Sequence, residues 1–142
     1  MRHYLVTLAL ALAIAFPAAG DARAARLVAD VDLSSQTMTV KKDGRVLYRW
    51  PVSTARPGKI TPIGTFRPQR MHRKWRSTIY GSNMPYSIFF RGPYAIHGTS
   101  AVSRRGSPAS AGGVRLHTSN AKRLFDLTRQ VGPGNMRVRI RH

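Results

Sequence analysis

The chain has 142 residues, with 24 lysines and arginines against 5 acidic residues, and its formal net charge is +19. This length suits one domain with a modest hydrophobic core. No cysteine is present, which excludes disulfide bonds, thiol catalysis and lipid attachment to a cysteine.

The strong positive charge predicts an affinity for polyanions that salt weakens. Two interpretations stay open at this stage: a selected polyanion-binding site, or a basic surface with no dedicated partner.

The N-terminal segment has the pattern of a secretory signal peptide. Arg2 and His3 precede an apolar run at 5–16 (LVTLALALAIAF), which is shorter than the roughly 20 residues that span a bilayer. Residues 22–24 (ARA) supply a small-x-small cleavage site. We therefore expect removal of residues 1–24, export to the periplasm or cell envelope, and no stable membrane span after cleavage. An uncleaved anchor is the alternative. An exported protein meets anionic envelope polymers first, so nucleic acid is not an expected partner.

In chain order, the region 25–142 begins with three strand-like segments. Residues 27–33 alternate imperfectly, whereas 37–40 (TMTV) and 46–50 (VLYRW) have the composition of good strands. Lys42-Asp43-Gly44 between the last two predicts a hairpin. Segments 64–66, 87–90 and 94–96 predict further strands, and the turn at 91–93 (RGP) joins the last two.

One helix follows, with Ser119 as its expected N-cap and an apolar stripe at helical spacing. The segment 132–134 (GPG) ends this helix. Residues 136–140 alternate apolar and basic side chains, as a closing strand with one exposed face does. The sequence thus predicts one mainly β domain, 25–142, with one substantial helix near 119–131.

Two stretches are candidates for chemistry. His97 ends an apolar strand and precedes Gly98, which fits either a general base or a core histidine bonded to a backbone carbonyl. The second stretch, 110–116 (SAGGVRL), has paired glycines just before the helix. They indicate either a tight turn or a close approach of the backbone to a ligand.

No metal or other cofactor is expected. The histidines at 72, 97, 117 and 142 lack the spacing of metal ligands.

Several short motifs, each weak alone, occur together in one order. They are 52–54 (VST), 57–58 (PG), 61–66 (TPIGTF), 84–86 (MPY), 96–98 (IHG), 110–116 and the helix after it. In this combination the chain resembles the catalytic domain of the L,D-transpeptidases, exported enzymes that cross-link peptidoglycan or attach proteins to it. The resemblance implies a β-sandwich or barrel-like fold and a thiol that attacks the third residue of a peptidoglycan tetrapeptide stem.

The sequence departs from the family at the centre of its signature, Ser-His-Gly-Cys followed by an apolar residue and Arg or Asn. Ala111 stands where the family has His, and Gly113 stands where it has the nucleophilic Cys. The signature positions that match are Ser110, Gly112, Val114 and Arg115. Loss of a nucleophile lowers turnover about 10⁶-fold, on the order of 8 kcal/mol of barrier. We therefore expect no catalysis.

The resemblance also implies roles for the matching residues. His97 is the retained general-base candidate, and backbone N–H groups at Gly112 and Gly113 could polarise a carbonyl. Arg115 either holds a carboxylate or braces the loop. The substrate-binding candidates are Tyr86, Gly98, Ser110, Gly112 and Arg115. Segment 72–76 (HRKWR) either lines the cleft with Tyr86 or is a solvated basic loop with one packed Trp.

Three functions remain open from the sequence. The first is a catalytically silent family member that binds peptidoglycan stem peptides. The second is an active transpeptidase that uses another nucleophile such as a nearby serine, although Ser110 fits a turn residue that bonds its own backbone. The third is a non-enzymatic protein that binds anionic envelope polymers through its charge.

Overall fold

The structure is a computed structural model that describes residues 25–100 and 106–142. A first sheet contains β1 (Leu27–Asp32), β2 (Thr37–Lys42), β3 (Arg45–Pro51), β4 (Gly64–Phe66) and β9 (Met136–Arg141). Their order is β3-β2-β1-β9-β4. Because β1 pairs in parallel with β9, the first and last strands of the domain lie side by side in this sheet.

A second sheet contains β5 (Arg70–His72), β6 (Ser87–Arg91), β7 (Tyr94–Thr99) and β8 (Val114–His117), in that order. β6 and β7 are antiparallel, whereas β7 and β8 are parallel. Parallel neighbours need a long connection, and the segment that makes it, 100–113, includes the paired glycines. The helix α1 (Thr118–Val131) follows β8 at once and packs on β7 and β8.

Apolar side chains from both sheets and α1 form a single hydrophobic core. Met38 and Val40 of β2 alternate inward, and Leu124 and Phe125 of α1 pack against the same cluster. Burial of this apolar surface is the main stabilising contribution in a chain that has no disulfide bond. The mainly β architecture with one helix is confirmed.

The predicted hairpin at 43–44 is confirmed. Lys42 of β2 pairs with Arg45 of β3, which leaves a two-residue turn. Asp43 and Gly44 both have positive φ, 50° and 79°, as the preferred two-residue hairpin turns require.

Three details differ from the sequence-based expectations. β5 and β8 are short strands that were not predicted, because they form by pairing with β6 and β7, which come from distant parts of the chain. The predicted N-cap Ser119 is wrong: α1 begins at Thr118, and the cap is His117, whose Nδ1 accepts the Ser119 N–H at 3.1 Å.

The predicted signal peptide, 1–24, lies outside the described residues. Within the part of the chain that the structure describes, no helix has the length and apolar character needed to cross a membrane.

Candidate active site

Two neighbouring strands bring the signature residues together. The register of β7 and β8 places His97 opposite Arg115. Side chains in register on adjacent strands share one face of the sheet. His97 and Arg115 accordingly line the same cleft.

Ser110 organises the turn that precedes β8. Its Oγ donates to the Gly113 carbonyl at 2.6 Å and accepts the Gly112 N–H at 3.0 Å. Its backbone N–H donates to the Thr54 carbonyl at 2.8 Å, and the residue is 1% exposed. With its hydroxyl proton donated to a backbone carbonyl, Ser110 is poorly placed to act as a nucleophile.

Gly112 is required by the shape of this turn. Its φ of +133° is a conformation that residues with a side chain rarely adopt. A β-carbon here would lie 2.5 Å from Tyr94 Cε1 and 2.7 Å from the Ile60 carbonyl oxygen. Because the Gly112 N–H already bonds to Ser110, the Gly113 N–H is the remaining candidate of the two expected carbonyl-polarising donors.

Gly113 differs from its neighbour because its φ lies outside the positive region that favours glycine. A β-carbon built on Gly113 would lie 3.5 Å from His97 Nε2 and 3.0 Å from the Ala95 carbonyl oxygen. The second distance needs an adjustment of a few tenths of an ångström. A side chain at position 113 would therefore begin directly beside the imidazole.

His97 is held in one tautomer. Its Nδ1 lies 2.8 Å from the Gly98 carbonyl, which can only accept, so Nδ1 carries the proton and Nε2 presents its lone pair toward position 113. The pKa of His97 is lowered to about 4, mainly by burial and in smaller part by the nearby charge of Arg115, while the hydrogen bond to the Gly98 carbonyl opposes the shift. The imidazole is thus a neutral proton acceptor at physiological pH.

This buried histidine predicts a loss of stability in acid. Between pH 6.5 and about 4 the unfolded chain binds a proton on His97 that the folded chain does not, so stability falls as the pH falls. The unfolding free energy is expected to drop by about 3 kcal/mol across this window. Urea unfolding at several pH values measures the drop, and His97→Gln should remove about one proton from the pH dependence. Equal pH dependence in both proteins would contradict the assignment.

The cleft in front of His97 has a volume of about 480 Å³ and a cationic lining. Lys59, Arg70 and Arg115 line it, and none of the aspartates in the described residues does. At its mouth the side chains of Ile60 and Tyr80 are 74% and 58% exposed. The cleft thus combines positive charge with apolar surface.

Three of the predicted substrate-binding residues do not line this cleft: Tyr86, Gly98 and Gly112. The ring of Tyr86 packs edge-on against Phe125 of α1, with centroids 5.7 Å apart. At Gly98 a β-carbon would lie 2.9 Å from Thr118 Cα, so glycine lets the start of α1 approach β7 closely. Gly98 acts on the site indirectly, through the carbonyl that orients His97.

Of segment 72–76, Trp75 lines the cleft. The Arg70 guanidinium lies over the rings of Trp75 and Phe89, at 4.6 and 3.7 Å from their centroids, and His72 stacks on Trp75. Lys59, Ile60 and Arg70 were not singled out from the sequence. Their approach to His97 depends on how distant segments pack.

Residues 25–100 and 106–142 contain no group of three His or acidic side chains that could hold a metal ion.

Comparison with known proteins identifies the family. The family model for the YkuD L,D-transpeptidase catalytic domain matches residues 26–140. The fold matches an L,D-transpeptidase from Mycobacterium smegmatis, with a TM-score of 0.75, 23% identity, and 83% of this chain and 59% of that chain covered. One from Xylanimonas cellulosilytica gives a TM-score of 0.71 and 27% identity, covering 83% and 61%.

A third structure is L,D-transpeptidase 3 from Mycobacterium tuberculosis in complex with a faropenem-derived adduct. It has a TM-score of 0.71 and 19% identity, with 83% of this chain and 61% of that chain covered. The chain thus spans about 59–61% of the length of these three solved chains. No curated protein matches it.

The two-sheet fold with one helix is the architecture of an L,D-transpeptidase catalytic domain. Because the family model covers nearly all of the described residues, the chain belongs to the L,D-transpeptidase catalytic-domain family.

Proposed function

We propose that this chain is a catalytically silent L,D-transpeptidase-family protein that binds peptidoglycan stem peptides. The position of Gly113 carries the proposal. Its absent β-carbon would lie 3.5 Å from His97 Nε2, where a thiol activated by this imidazole would be attached. Acyl transfer through a thioester needs sulfur on that carbon, and glycine has no side chain.

Ser110, in the turn before β8, is a poor substitute for the missing thiol. Its hydroxyl donates to the Gly113 carbonyl rather than to His97. A serine nucleophile needs a base that takes its proton. This geometry favours the silent interpretation over a transpeptidase with another nucleophile.

The cleft keeps properties that suit a stem peptide. Such a peptide carries carboxylates and short apolar side chains, and the cleft presents Lys59, Arg70 and Arg115 together with exposed apolar surface. Charge-assisted hydrogen bonds from guanidinium groups to carboxylates are about twice as strong as neutral ones. Binding is thus supported by groups that do not depend on the missing thiol.

The proposed setting is the cell envelope outside the inner membrane. This rests on the signal-peptide pattern at 1–24 together with family membership.

Overall charge favours anionic envelope polymers as a second kind of partner. The aspartates of the described residues pair with Arg26, Arg73, Lys122, Arg139 and Arg141. The formal net charge is +19, and most basic side chains of the described residues have no carboxylate partner. Such binding would be less selective than the cleft and more sensitive to salt.

Mass spectrometry and calorimetry test the proposed function together. Incubation with faropenem or with a disaccharide-tetrapeptide should give no covalent adduct and no cross-linked product. Titration with the same disaccharide-tetrapeptide should show saturable binding, with Kd on the order of 0.1–1 mM for a few solvent-exposed contacts. An acyl adduct on any residue of the unmodified protein would refute the silent interpretation.

A pair of variants separates binding in the cleft from binding by charge. Tyr80→Ser removes an exposed ring at the cleft mouth and should weaken stem binding about fivefold. Leu47→Ser alters a comparably exposed side chain on β3, outside the cleft, and should leave stem binding unchanged. Heparin binding should be the same in both variants. If stem binding follows heparin binding instead, overall charge is responsible.

A further inference from the structure

We infer that the cleft is a receptor for stem peptides that end in a free carboxylate, which occupies the space beside Gly113 and pairs with Arg115. This inference rests on the proposed function and specifies which end of the peptide is recognised. Gly113 lines the cleft, and the position of its absent β-carbon borders His97 Nε2. A ligand group can therefore take the place of the missing side chain.

Arg115 has no carboxylate partner among the described residues. Asp30 and Asp32 contact arginines of β9, Asp43 contacts Arg26, and Asp126 contacts Lys122 and Arg73. Arg115 is partly buried, and this desolvation together with the charge of Arg56 lowers its pKa. A partly buried guanidinium beside other cations is stabilised when a ligand supplies negative charge.

The backbone of Arg115 is anchored by two hydrogen bonds to Ser53. Its N–H donates to the Ser53 carbonyl at 2.9 Å, and its carbonyl accepts the Ser53 N–H at 3.0 Å. These bonds attach β8 to the segment after β3. Arg115 therefore lines the cleft from a well-anchored strand.

A terminal carboxylate and a terminal carboxamide would make different contacts in the space beside Gly113. An amide N–H could donate to the lone pair of His97 Nε2, which would favour the amide by one neutral hydrogen bond. A carboxylate instead accepts a bidentate, charge-assisted pair from Arg115, which is about twice as strong. Lys59 and Arg70 in the same cleft add to the preference for the charged ligand. Because the charge-assisted pair with Arg115 contributes more than the neutral hydrogen bond to His97, the free acid should bind more tightly than the amide.

The stem residue concerned follows from the family reaction. The acyl carbon that would join a thiol at position 113 belongs to the third stem residue, so a stem cut after that residue would place its new carboxylate beside Gly113. The reactions that supply such a ligand are carboxypeptidase reactions that remove the fourth residue of the stem.

Calorimetric titration of the full-length protein with a matched pair of ligands tests the inference. The pair is a stem tripeptide with a free carboxylate at its third residue and the same tripeptide with that carboxylate converted to a carboxamide. The acid should bind about tenfold more tightly than the amide. Arg115→Gln should reduce this preference to about twofold or less, whereas Arg45→Gln, which removes an exposed charge on β3, should preserve it.

Each outcome bears on a different claim. If both tripeptides bind the parent protein with equal affinity, or if Arg115→Gln keeps the tenfold preference, this inference is wrong and the proposed function stands. If neither tripeptide binds, this inference is wrong, and titration with the disaccharide-tetrapeptide decides whether the proposed function is overturned as well. Should Arg115→Gln not fold, Gly113→Ala provides a second variant, since its methyl group enters the same space and should also reduce the preference for the acid.

Discussion

A protein carrying both Gly113→Cys and Ala111→His is expected to form a covalent adduct with faropenem, where the parent protein forms none. The β-carbon of residue 113 would start 3.5 Å from His97 Nε2, so the thiol is placed next to a neutral imidazole that can take its proton. Faropenem is a suitable probe because a structural neighbour from Mycobacterium tuberculosis is described with an adduct derived from it.

Gly113→Cys alone should react slowly, and Ala111→His should accelerate the reaction. Ala111 lines the cleft, so an imidazole there adds a second polar group beside the thiol. A positioned acid–base group contributes about 10²-fold or more to such a step. Intact-protein mass spectrometry over time gives both rates.

Two controls accompany this repair. Gly113→Ala introduces a side chain without sulfur and should form no adduct. Gly113→Cys combined with His97→Gln keeps the sulfur and removes the base, which should slow acylation. If the double variant folds and still forms no adduct, the cleft differs from an active one at more than these two positions. The proposal that it binds stem peptides is then weakened as well.

Gly112→Ala is expected to destabilise the protein by about 2–4 kcal/mol. The new methyl group would lie 2.5 Å from the Tyr94 ring and 2.7 Å from the Ile60 carbonyl oxygen, on a residue whose φ is +133°. Both the contact and the backbone conformation oppose it. A decrease of about 10 °C in the melting temperature is the corresponding result for a domain of this size.

The neighbouring Gly113→Ala is the matched control for Gly112→Ala. Its β-carbon has one tight contact, 3.0 Å to the Ala95 carbonyl oxygen, and its φ lies outside the positive region. The expected cost is below about 1 kcal/mol. Equal destabilisation by the two substitutions would show that position 113 also requires glycine, and the argument for a vacated nucleophile position would lose its steric basis.

Local patterns predicted much of the fold. The hairpin at Asp43-Gly44, the helix with its apolar stripe and the alternating last strand are all visible in short windows of sequence, because turn chemistry and periodicity act over a few residues. β5 and β8 were not visible in this way. They are strands because β6 and β7 lie beside them, and pairing with distant segments leaves little trace in three or four residues.

The site was partly visible for a similar reason. The signature stretch identified positions 111, 113 and 115 by their order in the chain, together with His97. It did not reveal Lys59, Ile60 or Arg70 in the cleft lining, nor that Tyr86 packs against α1. These placements depend on the paths of segments far apart in sequence.

By itself, the sequence determined that this is a β-rich, strongly basic domain without a cysteine. These properties depend on residue identity and local spacing. Only the tertiary structure distinguished Gly112, which the turn requires, from Gly113, whose φ other residues can adopt and whose β-carbon would make one tight contact. It alone placed the buried, neutral His97 beside Gly113, because distances between remote residues and their burial are set by packing.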